Sequence, residues 1–142
     1  MIDLDNQTDM SVDLEFLNLI AQYLTNREIE LIICKDDYIQ DLNKIYRDKD
    51  MPTDVLSFPL AESFMGLPLG SIIINIEKVK EIALKLEHTE DEEMALLFIH
   101  GLLHLLGYDH EIDSGEMREK ERELIDKFKL PKSLIIRLNG ID

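Results

Sequence analysis

Tryptophan is absent from this chain and cysteine occurs once, at position 34. A single cysteine forms no internal disulfide, so a disulfide-stapled secreted scaffold is excluded. Cys34 sits in the apolar run IELIIC and reads as a core residue with no catalytic role. Basic residues are also scarce: 15 Lys and Arg stand against 30 Asp and Glu, a formal net charge of −15. That balance argues against a module that grips nucleic acid through a broad basic surface, because such binding displaces counterions from phosphates. An acidic chain keeps its solubility and is compatible with a local basic cleft or a protein docking partner. Long apolar runs are missing as well. The longest covers about 13 residues, Met94 to Leu106, with two histidines inside it, too short and too polar to span a bilayer. The opening MIDLDNQTDM is acidic and lacks the basic and apolar parts of a signal peptide, so the expected compartment is the cytoplasm.

What remains is a chain of 142 residues with 45% apolar and 32% charged residues, which fits one globular domain spanning 1–142. Its apolar spacing lays out strand, helix, strand, helix in the first half. A short strand is expected at 2–5, then a helix capped by Ser11, with Val12, Phe16, Leu19, Ile20 and Tyr23 at helical period and Asn26 as its stop. Arg27 to Cys34 reads as a mostly buried strand, and Asp36 or Asp37 caps a helix that buries Ile39, Leu42 and Ile45. The loop 47–54 contains Pro52, which excludes regular helix. Strands follow at Val55–Phe58 and Gly70–Ile74, joined by a flexible connection at 60–68. Asn75 caps a helix with Val79, Ile82, Ala83 and Leu86 on one face. Thr89 and Glu92 form a capping box for a helix starting near residue 90, apolar nearly all round and therefore buried on most sides. Asp113 and Glu116 offer a second capping box, for a helix to about Phe128 that buries Met117, Leu124, Ile125 and Phe128 and leaves its other face to solvent. Pro131 begins a last short helix through Leu138.

The central helix carries the chemistry. In HGLLHLLGYDH, residues 100–110, His100 and His104 stand four apart, one turn apart on one helix face. Gly107 can stop the helix and turn the chain, bringing His110 to the same point. Three neutral imidazoles around an open position suit a catalytic zinc site, and nickel or copper as well. One histidine in an apolar helix is ordinarily a core residue with one hydrogen bond, but here three of the chain's four histidines fall within eleven residues. His88, before the helix cap, reads as an exposed surface residue. Zinc proteases with H-x3-H-x5-H spacing carry a glutamate directly after the first histidine as general base; here that position is Gly101, which suggests close approach of another backbone or a substrate. Asp109 either orients a ligand histidine or shapes the turn.

The expected fold class is therefore α+β, a mixed α/β arrangement: a small, mostly four-stranded sheet covered by helices, with a central buried metal-bearing helix. HGLLHLLGYDH resembles the signature of the YbeY family of bacterial endoribonucleases and ribosomal RNA maturation factors. The block YRDKDMPTDVLSFPL, residues 46–60, is similar to a second stretch of that family, and the order of elements agrees along nearly the whole chain. Two positions depart from the family's usual residues, Asp54 for an asparagine and Ser71 for an aspartate. The resemblance implies that His100, His104 and His110 bind one zinc-like ion and that Arg47, otherwise a surface arginine in a charged loop, is the functional arginine of the cleft. It implies metal-dependent, single-strand-specific cleavage near the 3′ end of small-subunit ribosomal RNA and a part in ribosome quality control. The partners it implies are ribosomal RNA or ribosomal subunits and ribosome-associated proteins, with neither membrane nor DNA. Two other readings stand beside it: a zinc-dependent hydrolase of another bond, peptides included, and a ribosome-assembly factor whose metal is structural. The general base is unassigned.

Overall fold

Two strands rich in isoleucine form the middle of a four-stranded sheet, β2 (Ile29–Cys34) and β4 (Gly70–Asn75), running parallel. In the computed structural model, which describes residues 1–60, 67–109 and 112–131, β1 (Ile2–Asn6) adds in parallel outside β2. β3 (Val55–Pro59) adds antiparallel outside β4, so the order is β1-β2-β4-β3. Both central strands are buried on two faces, which explains their unbroken apolar runs. Leu31, Ile33, Ile72 and Ile74 face the larger core, and Ile32, Cys34 and Ile73 turn to the other face.

That second face is covered by α2 (Asp36–Arg47), which contributes the buried Ile39 beside Leu56 of β3. The larger core is shared by α1 (Leu14–Leu24), α3 (Ile76–Leu86), α4 (Glu90–Leu105) and α5 (Glu116–Phe128). α4 is the central helix: it contacts β3, β4, α1, α3 and α5, and every residue from Glu93 to Leu103 is buried. Its start is the expected capping box, with Thr89 Oγ1 accepting from the Glu92 N–H at 3.0 Å and Glu92 Oε1 accepting from the Thr89 N–H at 2.9 Å. At its end Gly107 takes φ +101°, and the N–H groups of Gly107 and Tyr108 donate back to the carbonyls of His104 and Leu103, each at 3.0 Å.

Several sequence expectations shift. α1 is capped by Asp13, whose Oδ1 accepts from the Phe16 N–H, and not by Ser11; its C-cap is Thr25, not Asn26. Its buried stripe is Leu17, Ile20 and Ala21, leaving Leu19 and Tyr23 exposed. Tyr23 is used at the surface, edge-on to the Phe128 ring and donating to Glu123 Oε2 at 2.9 Å. Asp36 and Asp37 occupy the first turn of α2 and do not cap it; the Asp36 N–H is instead taken by Glu77 Oε2 of α3, a partner 41 residues away. Ile45 and Leu86 are exposed, since the helix stripes close without them. α3 keeps its Asn75 cap.

α5 begins at Gly115 (φ +109°) and no capping box forms. Asp113 accepts from the N–H groups of Gly115 and Met117, while Glu116 reaches back to the Ser114 N–H. Glu121, on the face expected to be solvated, is fully buried. It shares the helical stripe of Met117 and Leu124, a register hidden by the alternating charges. Most of the expected flexible connection at 60–68, and the last helix expected through Leu138, lie outside the described residues. No helix among the described residues is long and apolar enough to cross a membrane.

Candidate active site

α4 delivers its last two turns to a cleft of about 490 Å³ where it packs against β3, the outer strand of the sheet among the described residues. His100, Gly101 and His104 line one side. The two imidazoles lie edge to face with ring centroids 4.7 Å apart, as the four-residue spacing requires. His100 is buried and His104 partly exposed, so the pair runs from the core outward. The turn after the helix, with Gly107, Tyr108 and Asp109, forms a second side, and the highly exposed Ile112 stands at the rim. The Asp109 carbonyl accepts from the N–H groups of Ile112 and Asp113 at 3.2 and 3.1 Å, which shapes this turn.

The third side is β3. Its neighbours Asp54 and Leu60 bond inward, the Asp54 carbonyl accepting from the Asn75 N–H and the Leu60 N–H donating to the Leu69 carbonyl. Antiparallel alternation therefore turns the backbone groups of Val55, Ser57 and Pro59 to the outer edge. Arg47, the final residue of α2, reaches that edge from the opposite face of the sheet: Nη2 donates to the Ser57 carbonyl at 3.3 Å, and the guanidinium carbon lies 5.8 Å from the Phe58 ring centroid. Among the described lining residues it is the one Lys or Arg, a local positive charge in a chain of net −15.

Gly101 has its reason in packing. A Cβ there would stand 2.9 Å from Ile72 Cγ2 and 3.5 Å from Val55 Cγ2. The close approach expected from the sequence is made by sheet side chains. The same contact fills the position where the zinc proteases carry their glutamate.

Of the expected site residues, His100, His104 and Arg47 line one cleft, and His110 lies outside the described residues. Among the described residues no three His, Cys, Asp or Glu side chains converge as a metal-holding group. Two imidazoles on one helix face, both lining a cleft, supply the kind of nitrogen donor that a zinc-type ion takes. Asp54 and Ser71, the two positions where the resemblance leads one to expect other residues, are both engaged: Asp54 Oδ1 accepts from the Val55 N–H at 2.8 Å, and Ser71 Oγ donates to Glu30 Oε1 at 2.7 Å.

His88 corrects the sequence reading. Its side chain is 8% exposed and Nε2 lies 2.8 Å from Oε1 of the buried Glu93. The available signal was Glu93 itself, an acid one residue before an all-apolar run. Cys34 is buried as expected, and burial pushes its thiol up to about 12.

The family model for endoribonuclease YbeY matches residues 3–129. A protein of a Sulfurovum species named endoribonuclease YbeY is 61% identical over 142 residues, covering 96% of this chain and 97% of the relative. One of the same name from Aliarcobacter butzleri is 58% identical, covering 96% and 99%. The solution structure of TM1509 from Thermotoga maritima aligns at a TM-score of 0.64 with 32% identity, over 90% of this chain and 89% of that one. The family model and these relatives match over nearly the whole of this chain: it belongs to the YbeY endoribonuclease family.

Proposed function

We propose that this protein is a metal-dependent endoribonuclease that cuts single-stranded ribosomal RNA near the 3′ end of the small-subunit RNA, in the cytoplasm and on ribosomal particles, and takes part in ribosome quality control. Family membership gives the reaction class, internal hydrolysis of RNA. The observation that supports metal dependence and phosphate binding at this site is the meeting of His100, His104 and Arg47 in one cleft; the RNA target and the ribosomal role follow the family resemblance.

His100 and His104, with His110, are the residues that would hold the ion. When bound, a zinc-type ion supplies a Lewis acid for a phosphoryl oxygen and a water of lowered pKa. Arg47 binds the phosphate: its planar fork takes two oxygens and opposes the charge that grows as the phosphorus becomes five-coordinate. The bond to the Ser57 carbonyl and the adjoining Phe58 ring hold the guanidinium in place before substrate arrives. The cleft has the volume of a small-ligand pocket, suited to a nucleotide free of its partner strand. Ile72 against Gly101 leaves no room for a protease-type base and disfavours the peptide-hydrolase reading.

Cleavage of a precursor small-subunit RNA fragment by the wild type and by His104→Ala, prepared identically, tests this. Cleavage by the wild type alone, lost on chelation, is expected. Equal cleavage by both sinks the proposal. The charge of −15 favours one alternative, an assembly factor that acts by binding. It prevails if His104→Ala supports ribosome maturation in cells.

A further inference from the structure

Tyr46 is 64% exposed in the last turn of α2, immediately before Arg47, and its ring centroid lies 5.3 Å from that of Phe58 at an interplanar angle of 58°. Phe58 in turn lies between Ser57 and Pro59, both lining the cleft, and has the Arg47 guanidinium 5.8 Å from its centroid. Tyr46 and Phe58 stand outside the cleft lining, on the α2 side of β3, and Arg47 joins them to the cleft, so three flat groups gather beside the edge strand: a mostly exposed phenol, a half-buried phenyl that supports it, and a guanidinium. We propose that Tyr46 is a stacking station for a nucleobase of the RNA strand, the base of a nucleotide next to the phosphate held by Arg47. This deepens the nuclease reading and rests on it.

The physical case has three parts. An unpaired base has two apolar faces and stacks on aromatic rings and guanidinium planes whatever its identity, so the station suits single strands and reads no sequence. Phe58 packs in the smaller core with Ile39, Leu56 and Ile73, which fixes the support beneath Tyr46 before any RNA arrives. In so acidic a chain, phosphate contacts alone bind RNA weakly, so the strand needs a contact that does not depend on charge. A ring beside the cleft's arginine provides it.

The chain has no tryptophan, so Tyr46→Trp carries a single indole at the station. Its fluorescence is titrated with a single-stranded oligoribonucleotide and with an abasic oligomer of equal length, RNA binding being followed independently by anisotropy of a labelled strand. Quenching by the base-bearing strand alone is expected. In cleavage assays Tyr46→Ala raises KM about tenfold with kcat held, and Tyr46→Trp restores KM. RNA that binds without quenching, quenching equal with the abasic strand, or an unchanged KM in Tyr46→Ala overturns the proposal. The nuclease reading fails by a different result: wild-type protein that binds RNA and shows no metal-dependent cleavage, while Tyr46→Trp keeps its base-dependent quench.

Discussion

A methyl group on the α carbon of Gly101 would come within 2.9 Å of Ile72 Cγ2, a branch carbon of a fully buried residue in β4. Ile72 has no slack, so Gly101→Ala costs about 1–3 kcal/mol in overpacking against the roughly 1 kcal/mol that alanine gains over glycine in a helix. The expected outcome is a lower urea midpoint for Gly101→Ala and a still lower one for Gly101→Glu. Ile72→Ala removes the opposing carbon. Combined with Gly101→Ala, it should give a double variant less destabilised than the sum of the singles. Additive losses would show that the contact is not what excludes a side chain.

Arg47 is exposed, and its bond to the Ser57 carbonyl and its place beside the Phe58 ring lie at the edge of the smaller core, so its replacement disturbs chemistry far more than folding. Arg47→Ala is expected to lower cleavage by about a hundredfold or more with the thermal midpoint only slightly lowered. Arg47→Lys restores the charge but not the two-pronged geometry, and recovers only part of the rate. RNA binding by the wild type should show a shallow salt slope, reduced by about 0.7 in Arg47→Ala, since one phosphate contact to a single strand is lost. An unchanged slope would place Arg47 away from the RNA.

The buried pairing of His88 with Glu93 braces the start of α4, far along the helix from the cleft. Glu93→Ala strands a polar ring that is 8% exposed and should cost about 1–3 kcal/mol in urea unfolding. Glu93→Gln, able to keep a hydrogen bond to the ring, should cost less. Cleavage below the unfolding transition is expected to survive both.

Cys34 gives a pH dependence whose sign follows from its raised pKa. Burial lifts the thiol from 9.0 to about 12 in the folded state. Its contribution to stability is therefore whole below pH 9, where both states keep the proton. It declines as pH rises from 9 toward 12, because the unfolded chain releases its proton first. Cys34→Ser or Cys34→Ala should flatten this alkaline decline in denaturant unfolding. Alkylation at pH 8 should require unfolding.

The parts of this architecture that sequence reveals are those carried by local pattern. The isoleucine runs of β2 and β4, the Thr89–Glu92 box and the glycine after Leu106 each depend on neighbours within a few residues, and each stands where its pattern puts it. What stays hidden depends on partners far along the chain. Glu77 covers the start of α2 from 41 residues away, and Phe128 and Glu123 give Tyr23 a surface role. Glu121 shows a different failure, an acid in the apolar stripe whose neighbours on either side are charged. At the site the histidine pair is legible from spacing. The place of Arg47 is not, because it depends on α2 ending beside the edge of β3. The resemblance to a family supplied that residue.

α4 begins with four acids in succession, Glu90, Asp91, Glu92 and Glu93, and ends beside the cleft. Aligned peptide dipoles leave about half a negative charge at a helix C-terminus, and the acids at the far end steady the opposite pole. The helix end by His104 is thus polarised to favour a cation, and the one guanidinium of the described lining, Arg47, stands across the cleft at the edge of β3. The consequence is a dependence: an ion held there by the histidines would offset that charge and ease the approach of the RNA backbone to Arg47. Protein stripped of metal should then lose its hold on RNA in the cleft along with the power to cut it.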